Sequence, residues 1–183
     1  MQTQSDYPAV KIGLLSDTHG FLDPRVFDYF AECDEIWHAG DIGSTEVADA
    51  LENFKTFRAV HGNIDDPAMR RRYPEDLWFD CEGILILMTH IAGSPPRFNP
   101  RVKKLLAERK PGVLVCGHSH ILRVMKDEAT SVMYLNPGAA GHHGLHPIRT
   151  MLRFEAHEGR LARMEVIELG KRGLIEPTTT RTD

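Results

Sequence analysis

Val10-Lys11-Ile12-Gly13-Leu14-Leu15-Ser16-Asp17-Thr18-His19-Gly20 decides the fold. Its apolar run has the length and flanks of a buried strand, and it stops at a polar turn containing glycine. The same ending recurs downstream. Glu35-Ile36-Trp37-His38 closes at Gly40-Asp41, and residues 56–60 close at His61-Gly62-Asn63. Residues 24–33 lie between the first two strands with helical spacing: Val26, Phe27 and Phe30 fall on one side and Pro24 suits a first turn. Ser44 caps a second helix whose stripe is Val47, Ala48 and Leu51. The first third therefore reads β-α-β-α-β, with Asp, His or Asn just past each strand. Open α/β sheets bind ligands at that edge.

Working outward, residues 76–80 and 84–89 read as a hairpin around Cys81-Glu82-Gly83, and the second strand ends in His90. Residues 100–110 are helical, with Val102, Leu105 and Leu106 inward. Residues 113–116 form a strand ending in Gly117-His118-Ser119-His120. After that the helical patterns stop, and residues 121–126, 131–135, 149–154 and 161–168 are strand candidates. The pattern predicts one domain over residues 1–183, with a core at about 10–168, two sheets, and a loose tail from 170 to 183.

Of 183 residues, 42% are hydrophobic and 26% charged, with a formal net charge of −4, which excludes disordered, collagen-like and disulfide-scaffold classes. A mildly acidic chain lacks the basic excess of a dedicated nucleic-acid or anionic-membrane binder. Cys33, Cys81 and Cys116 are odd in number and form no CxxC pair, as expected of a reduced protein. The first residues carry no signal-peptide pattern, and no apolar run is long enough to span a bilayer, so a cytoplasmic protein is expected.

Ten histidines stand out. Asp17, His19, Asp41, Asn63, His90, His118 and His120 form an ordered set at strand ends, each in a turn containing glycine. Hard oxygen and imidazole donors converging on one edge suit Zn, Fe, Mn, Ni or Co. The set exceeds one tetrahedral site but fits two metals sharing a carboxylate. Two ions roughly 3.5–4 Å apart can activate a bridging hydroxide for phosphoryl displacement. Asp41 is the best bridging candidate, because a carboxylate can serve two ions and an imidazole cannot. Singly, Asp17 or Asn63 reads as turn chemistry. His38 and His61 read as structural, with support of a neighbouring ligand as the sharper alternative. Residues 70–72, three arginines, read as a solvated loop, and Arg149 as an exposed cation with phosphate contact as the alternative. His142, His143 and His146 read as a surface loop that could face substrate; Cys116 reads as a small core residue.

Asp17-Thr18-His19, Gly40-Asp41, Gly62-Asn63, Thr89-His90 and Gly117-His118-Ser119-His120 together resemble the blocks of the calcineurin-like metallophosphoesterase superfamily, in particular its small bacterial phosphodiesterase branch. The resemblance implies an α/β (α+β) fold of two packed mixed β-sheets flanked by helices, a four-layer sandwich. It implies a phosphodiesterase with two divalent ions. Asp17, His19, Asp41 and His120 would hold one, and Asp41, Asn63, His90 and His118 the other. Asp41, Asn63 and His90 would be catalytic through the activated hydroxide, on a small-molecule phosphate ester. Asn136-Pro137-Gly138 matches a segment of this branch and would support the site from a later strand. Many members follow the ligand Asn with a His; here Ile64, Asp65 and Asp66 follow Asn63. The leaving-group acid is then open, with Asp65 or a metal-bound water as candidates, and good leaving groups are expected to be favoured. The branch often forms homo-oligomers. The small retromer subunit is similar in fold and is regarded as a scaffold, so a non-catalytic interaction module is the alternative; an intact ligand set argues for the enzyme.

Overall fold

A computed structural model describes residues 9–173. In chain order the elements are β1 (Val10–Leu15), α1 (Arg25–Tyr29), β2 (Glu35–His38), α2 (Thr45–Phe54), β3 (Thr56–Ala59), α3 (Pro67–Arg72), β4 (Asp76–Cys81), β5 (Ile84–Thr89), β6 (Gly93–Ser94), β7 (Arg97–Phe98), α4 (Pro100–Arg109), β8 (Val113–Val115), β9 (Leu122–Lys126), β10 (Met133–Pro137), β11 (Ile148–His157) and β12 (Arg160–Lys171). One sheet has the order β12-β11-β1-β2-β3, the other β4-β5-β8-β10-β9, and β6 and β7 pair with each other. Both large sheets are mixed. β1, β2 and β3 run parallel, as do β5, β8 and β10, while β11, β12, β4 and β9 join antiparallel.

The apolar runs follow from burial on both faces. Ile12, Leu14 and Trp37 point between the sheets and meet Ile86, Met88, Val113 and Val115. Their neighbours Leu15 and Ile36 point the other way, against Val26 and Phe30 of the α1 region and Val47 and Leu51 of α2. On the second sheet, Leu87 and Leu114 face outward under Val102 and Leu106 of α4. The result is helices, sheet, sheet, helix: the four-layer α+β sandwich expected from the sequence. Trp37 is the central wedge, with Phe79 and Phe154 edge-on to its ring at 5.0 and 5.6 Å.

Three local differences from the sequence reading have physical causes. α1 is shorter than residues 24–33, because the chain turns at Phe30, whose ring packs so closely on Gly13 that a Cβ there would lie 2.6 Å from it. Residues 67–72 are a helix rather than a loop: Asp66 accepts a bond from Met69 N at 2.9 Å, and Pro67 sits in the first turn. β12 continues to Lys171, and residues 174–183 of the expected tail lie outside the described residues. Among the described residues, no helix is long and apolar enough to cross a membrane.

Candidate metal centre

The parallel strands of both sheets end at one edge, and there the structure gathers the seven residues singled out in the sequence. Asp17, His19 and His120 form one group whose donor atoms all lie within 4.8 Å of one another. Asp41, His90 and His118 form a second on the same criterion. Asn63 joins the second group through Oδ1, 3.2 Å from His90 Nε2. Asp41 lies between the groups: Oδ1 is 3.3 Å from His90 Nε2 and Oδ2 is 3.6 Å from His19 Nε2. This is the position expected of a shared carboxylate. Asp17 and Asp41 are buried, whereas Asn63 and His118 are exposed at the rim.

The backbone is bent to aim these side chains. Asp17, His19, Asp41, His118 and His120 have φ between 49° and 66°, the left-handed region that non-glycine residues rarely adopt. Such strain persists only where surrounding structure enforces it. Here the loops continue each other's hydrogen bonding beyond the strands. Asp17 N donates to Gly40 O and His19 N to Asp41 O, both at 3.0 Å; Gly117 N donates to His90 O at 3.1 Å. Gly62 and Gly117 leave room for carboxylates: a Cβ on Gly62 would collide with Asp41, and one on Gly117 with Asp17 and Ser16.

Supporting side chains fix the loops. His38 is buried, and its Nδ1 accepts from Gly40 N at 3.2 Å. Thr18 Oγ1 donates to Ile42 O, so it accepts from His38 Nε2, 2.9 Å away. His38 is therefore a neutral, Nε2-protonated link between two ligand loops, and burial pulls its pKa down to about 4. Asn136 Nδ2 donates to Gly117 O (2.8 Å) and Ser119 Oγ (3.1 Å), so Asn136-Pro137-Gly138 does brace the Gly117–His120 loop.

The donor set fits cations. His90 Nδ1 donates to Ala39 O at 2.8 Å, which turns Nε2 toward the oxygens of Asp41 and Asn63. A positive charge belongs among these oxygens: the imidazolium proton on Nε2 or, with the ring neutral, a cation that all three atoms can ligate. Burial pushes His90 down, yet its hydrogen bond to Asp41 and the charges of Asp17 and Asp41 raise its pKa overall. Burial likewise pushes Asp41 up, but the His90 bond and charge, the Ile64 amide and His19 leave it lowered. In the other group, Asp17 Oδ2 accepts from His118 N at 3.1 Å, while its buried Oδ1 accepts no hydrogen bond. His120 Nε2 is 3.1 Å from that oxygen, and the Nε2 atoms of His19 and His120 face each other at 3.4 Å. Burial lowers His19 and His118, which keeps these imidazoles neutral and able to ligate.

Asp65 and Arg149 are placed differently from the sequence reading, and His143 and His146 take the alternative it offered. Asp65 does not face the centre as an acid. Its carboxylate accepts from Gly43 N (2.7 Å), Gly62 N (2.8 Å) and Ile42 N (3.2 Å), which makes it a tie between two loops. Arg149 is not exposed; it is buried, 2.8 Å from Asp23 Oδ2, with Nη2 donating to Leu169 O at 2.7 Å. His143 and His146 border the centre, with ring centroids 4.9 Å from His19 and 5.1 Å from His120. A cleft of about 200 Å³ opens beside Asn63 and His90, with His61 and Arg70 on its wall. Arg70 was not legible as a wall residue, although the Asp66-Pro67 helix start was available as a signal.

The calcineurin-like phosphoesterase superfamily domain matches residues 10–159. The chain belongs to this superfamily. A probable metallophosphoesterase of Methanocaldococcus jannaschii is 33% identical over 135 residues, 70% of this chain and 67% of that protein. A conserved uncharacterized protein of Streptococcus pneumoniae, described as a predicted phosphoesterase, shares the fold at a TM-score of 0.64, with 23% identity, covering 88% of this chain and 99% of that one. Vps29 of Entamoeba histolytica, solved as a Zn complex, has a TM-score of 0.67 and 17% identity, covering 87% of this chain and 99% of that one.

Proposed function

We propose that this phosphoesterase is a two-cation phosphodiesterase. Asp17, His19, Asp41 and His120 hold one divalent ion, and Asp41, Asn63, His90 and His118 hold the other. When bound, such ions supply an activated water at neutral pH and positive charge for the phosphoryl oxygens. The chain's own residues do the rest. Ala39 O and the His38–Thr18 link orient the ligand loops, Asp41 keeps its charge, and the exposed rim at Asn63 and His118 admits substrate. The observation that carries the reading is the convergence of two ligand-type groups, Asp17 with His19 and His120 and Asp41 with His90 and His118, with Asp41 reaching both and Asn63 beside His90.

Diester preference is supported by room on more than one side. One cleft lies beside Asn63 and His90; another, about 540 Å³ and lined by Ile121, Leu145 and Pro147, lies beside His120. Asp65, the acid candidate offered by the sequence, is bound to backbone amides, which supports a reaction that proceeds without that acid. Rates should therefore rise steeply as the leaving group becomes a better one. A non-catalytic scaffold would have no need to keep every ligand, and this chain keeps them all. The three cysteines are buried and free, which supports a reducing, cytoplasmic setting.

The test is metal-stripped protein re-supplied with Mn, Ni or Zn and assayed on a series of aryl phosphodiesters. Turnover that depends on metal and on leaving-group pKa is expected. Absence of turnover with every metal would defeat the proposal, and a rate independent of leaving-group pKa would defeat the missing-acid part.

A further inference from the structure

The cleft on the far side of the Gly117–His120 loop has a lining charge unlike that of three other clefts. It holds about 260 Å³ and is lined by Arg97, Arg123, Tyr134, His118 and Ser119 together with the Ala92–Ser94 backbone. Its lining contains two guanidinium groups and no carboxylate. The other clefts differ. Glu75 lines the one beside Asn63, Glu168 the one beside His120, and three glutamates offset the cations of one near Arg153. Among these four clefts it is the one whose guanidinium groups share the lining with no carboxylate.

Neither arginine is committed elsewhere. Among the described residues, Arg25, Arg58, Arg72, Arg101, Arg149, Arg153 and Arg163 each have a carboxylate partner; Arg97 and Arg123 have none, and Arg70, Arg71, Arg109, Arg160 and Arg172, outside this cleft, likewise have none. Arg101, the nearest in sequence to Arg97, is spent on Asp76 and Glu75. Both cleft arginines are carried by tethered backbone. Arg97 pairs with Ser94 across the β6–β7 hairpin, whose Gly93 O accepts from Tyr134 Oη at 3.0 Å. Arg123 pairs across the sheet with Asn136, the residue that braces Gly117 and Ser119. The cleft also shares His118 with the second candidate metal group, so a ligand in it lies next to the reacting centre.

Planar guanidinium groups match phosphate oxygens in pairs, and two of them with no competing carboxylate match a dianion better than a monoanion. We infer that this cleft is a subsite for a second phosphate group, so the substrates are phosphodiesters that carry a terminal phosphomonoester on one arm. The inference rests on the phosphoesterase reading and adds the substrate class: a polyanionic, nucleotide-like ester rather than a neutral-armed one. Arg97 and Arg123 set specificity and stand apart from the bond-breaking groups.

The probes are two hydrolysis-resistant compounds, propane-1,3-bisphosphonate and propylphosphonate, which differ in the second anionic group alone. Binding is measured by calorimetry on Mn-loaded full-length protein and on the Arg97→Gln/Arg123→Gln double variant, with thermal melts as a check on folding. Wild type should bind the bisphosphonate at least about tenfold more tightly, the scale of one charge-assisted hydrogen bond. In the double variant the two affinities should become equal, with propylphosphonate binding unchanged. Equal affinities in wild type, or a preference that survives in the double variant, would overturn the inference. Turnover of bis(4-nitrophenyl) phosphate on the same samples reports separately: failure to hydrolyse it with the bisphosphonate preference intact would sink the enzyme reading and leave the subsite standing.

Discussion

Two buried clusters of charged groups lie in this molecule, and they are wired in opposite ways. In one, Asp23 meets Arg25 and Arg149, each 2.8 Å away, and both guanidinium groups also reach Leu169 O. The carboxylate of Asp23 finds all its partners inside the chain. Burial alone would raise its pKa, but the hydrogen bonds from Arg25 and Arg149 outweigh that and bring it down to about 2. In the other cluster, Asp17 keeps a buried oxygen without a hydrogen bond, and Asp41 lies between the Nε2 atoms of His90 and His19. A carboxylate closed off by donors is a strut. A carboxylate left among acceptors is built for something that arrives from outside.

Substitutions should separate the two. The largest effect is expected at Asp41→Asn, which removes the shared charge. Loss of a mere supporting partner costs roughly 10–100-fold in metal affinity, so this variant should lose more, read as metal content after dialysis, with the melting temperature of the metal-free protein little changed. Wild-type metal content in it would erase the contrast. Next is Arg149→Met, expected to cost about 3 kcal/mol in denaturant unfolding because Asp23 loses an internal cation, with metal content unchanged.

Gly62→Ala should act in between, lowering metal affinity about tenfold, since its Cβ would collide with Asp41. An equal effect on metal-free stability alone would make Gly62 a packing residue. The smallest effect concerns acid. The Asp23 carboxyl is depressed in the folded state from its ordinary 3.8 to about 2. Its contribution is therefore complete above pH 4 and is lost as the pH falls from about 4 to about 2. An acid titration of stability should show that loss in wild type and a weaker one in Arg149→Met.

The contrast also explains what the sequence reveals. The candidate metal ligands were legible because their signal is local: Asp17, Asp41, His90 and His118 each follow an apolar strand and accompany a glycine. The four-layer order was legible from the same runs, whose consecutive residues face opposite layers. The Asp23–Arg149 strut was not, because its partners are 126 residues apart and neither sits in a motif. Arg149 therefore read as an exposed cation. Asp65 read as a possible acid because its distance from Asn63 in sequence was visible and its three amide donors were not. The approach of His143 and His146 to the centre is likewise a tertiary fact. The α3 helix was readable in principle from Asp66-Pro67 and was masked by the run of arginines that follows.

The central claim is that the open cluster holds two cations with Asp41 between them. Anomalous scattering from crystals grown with Mn tests it most directly. The account predicts two peaks, one among Asp17, His19 and His120 and one among Asn63, His90 and His118, both within ligand distance of Asp41. A single peak, or peaks away from Asp41, would contradict it.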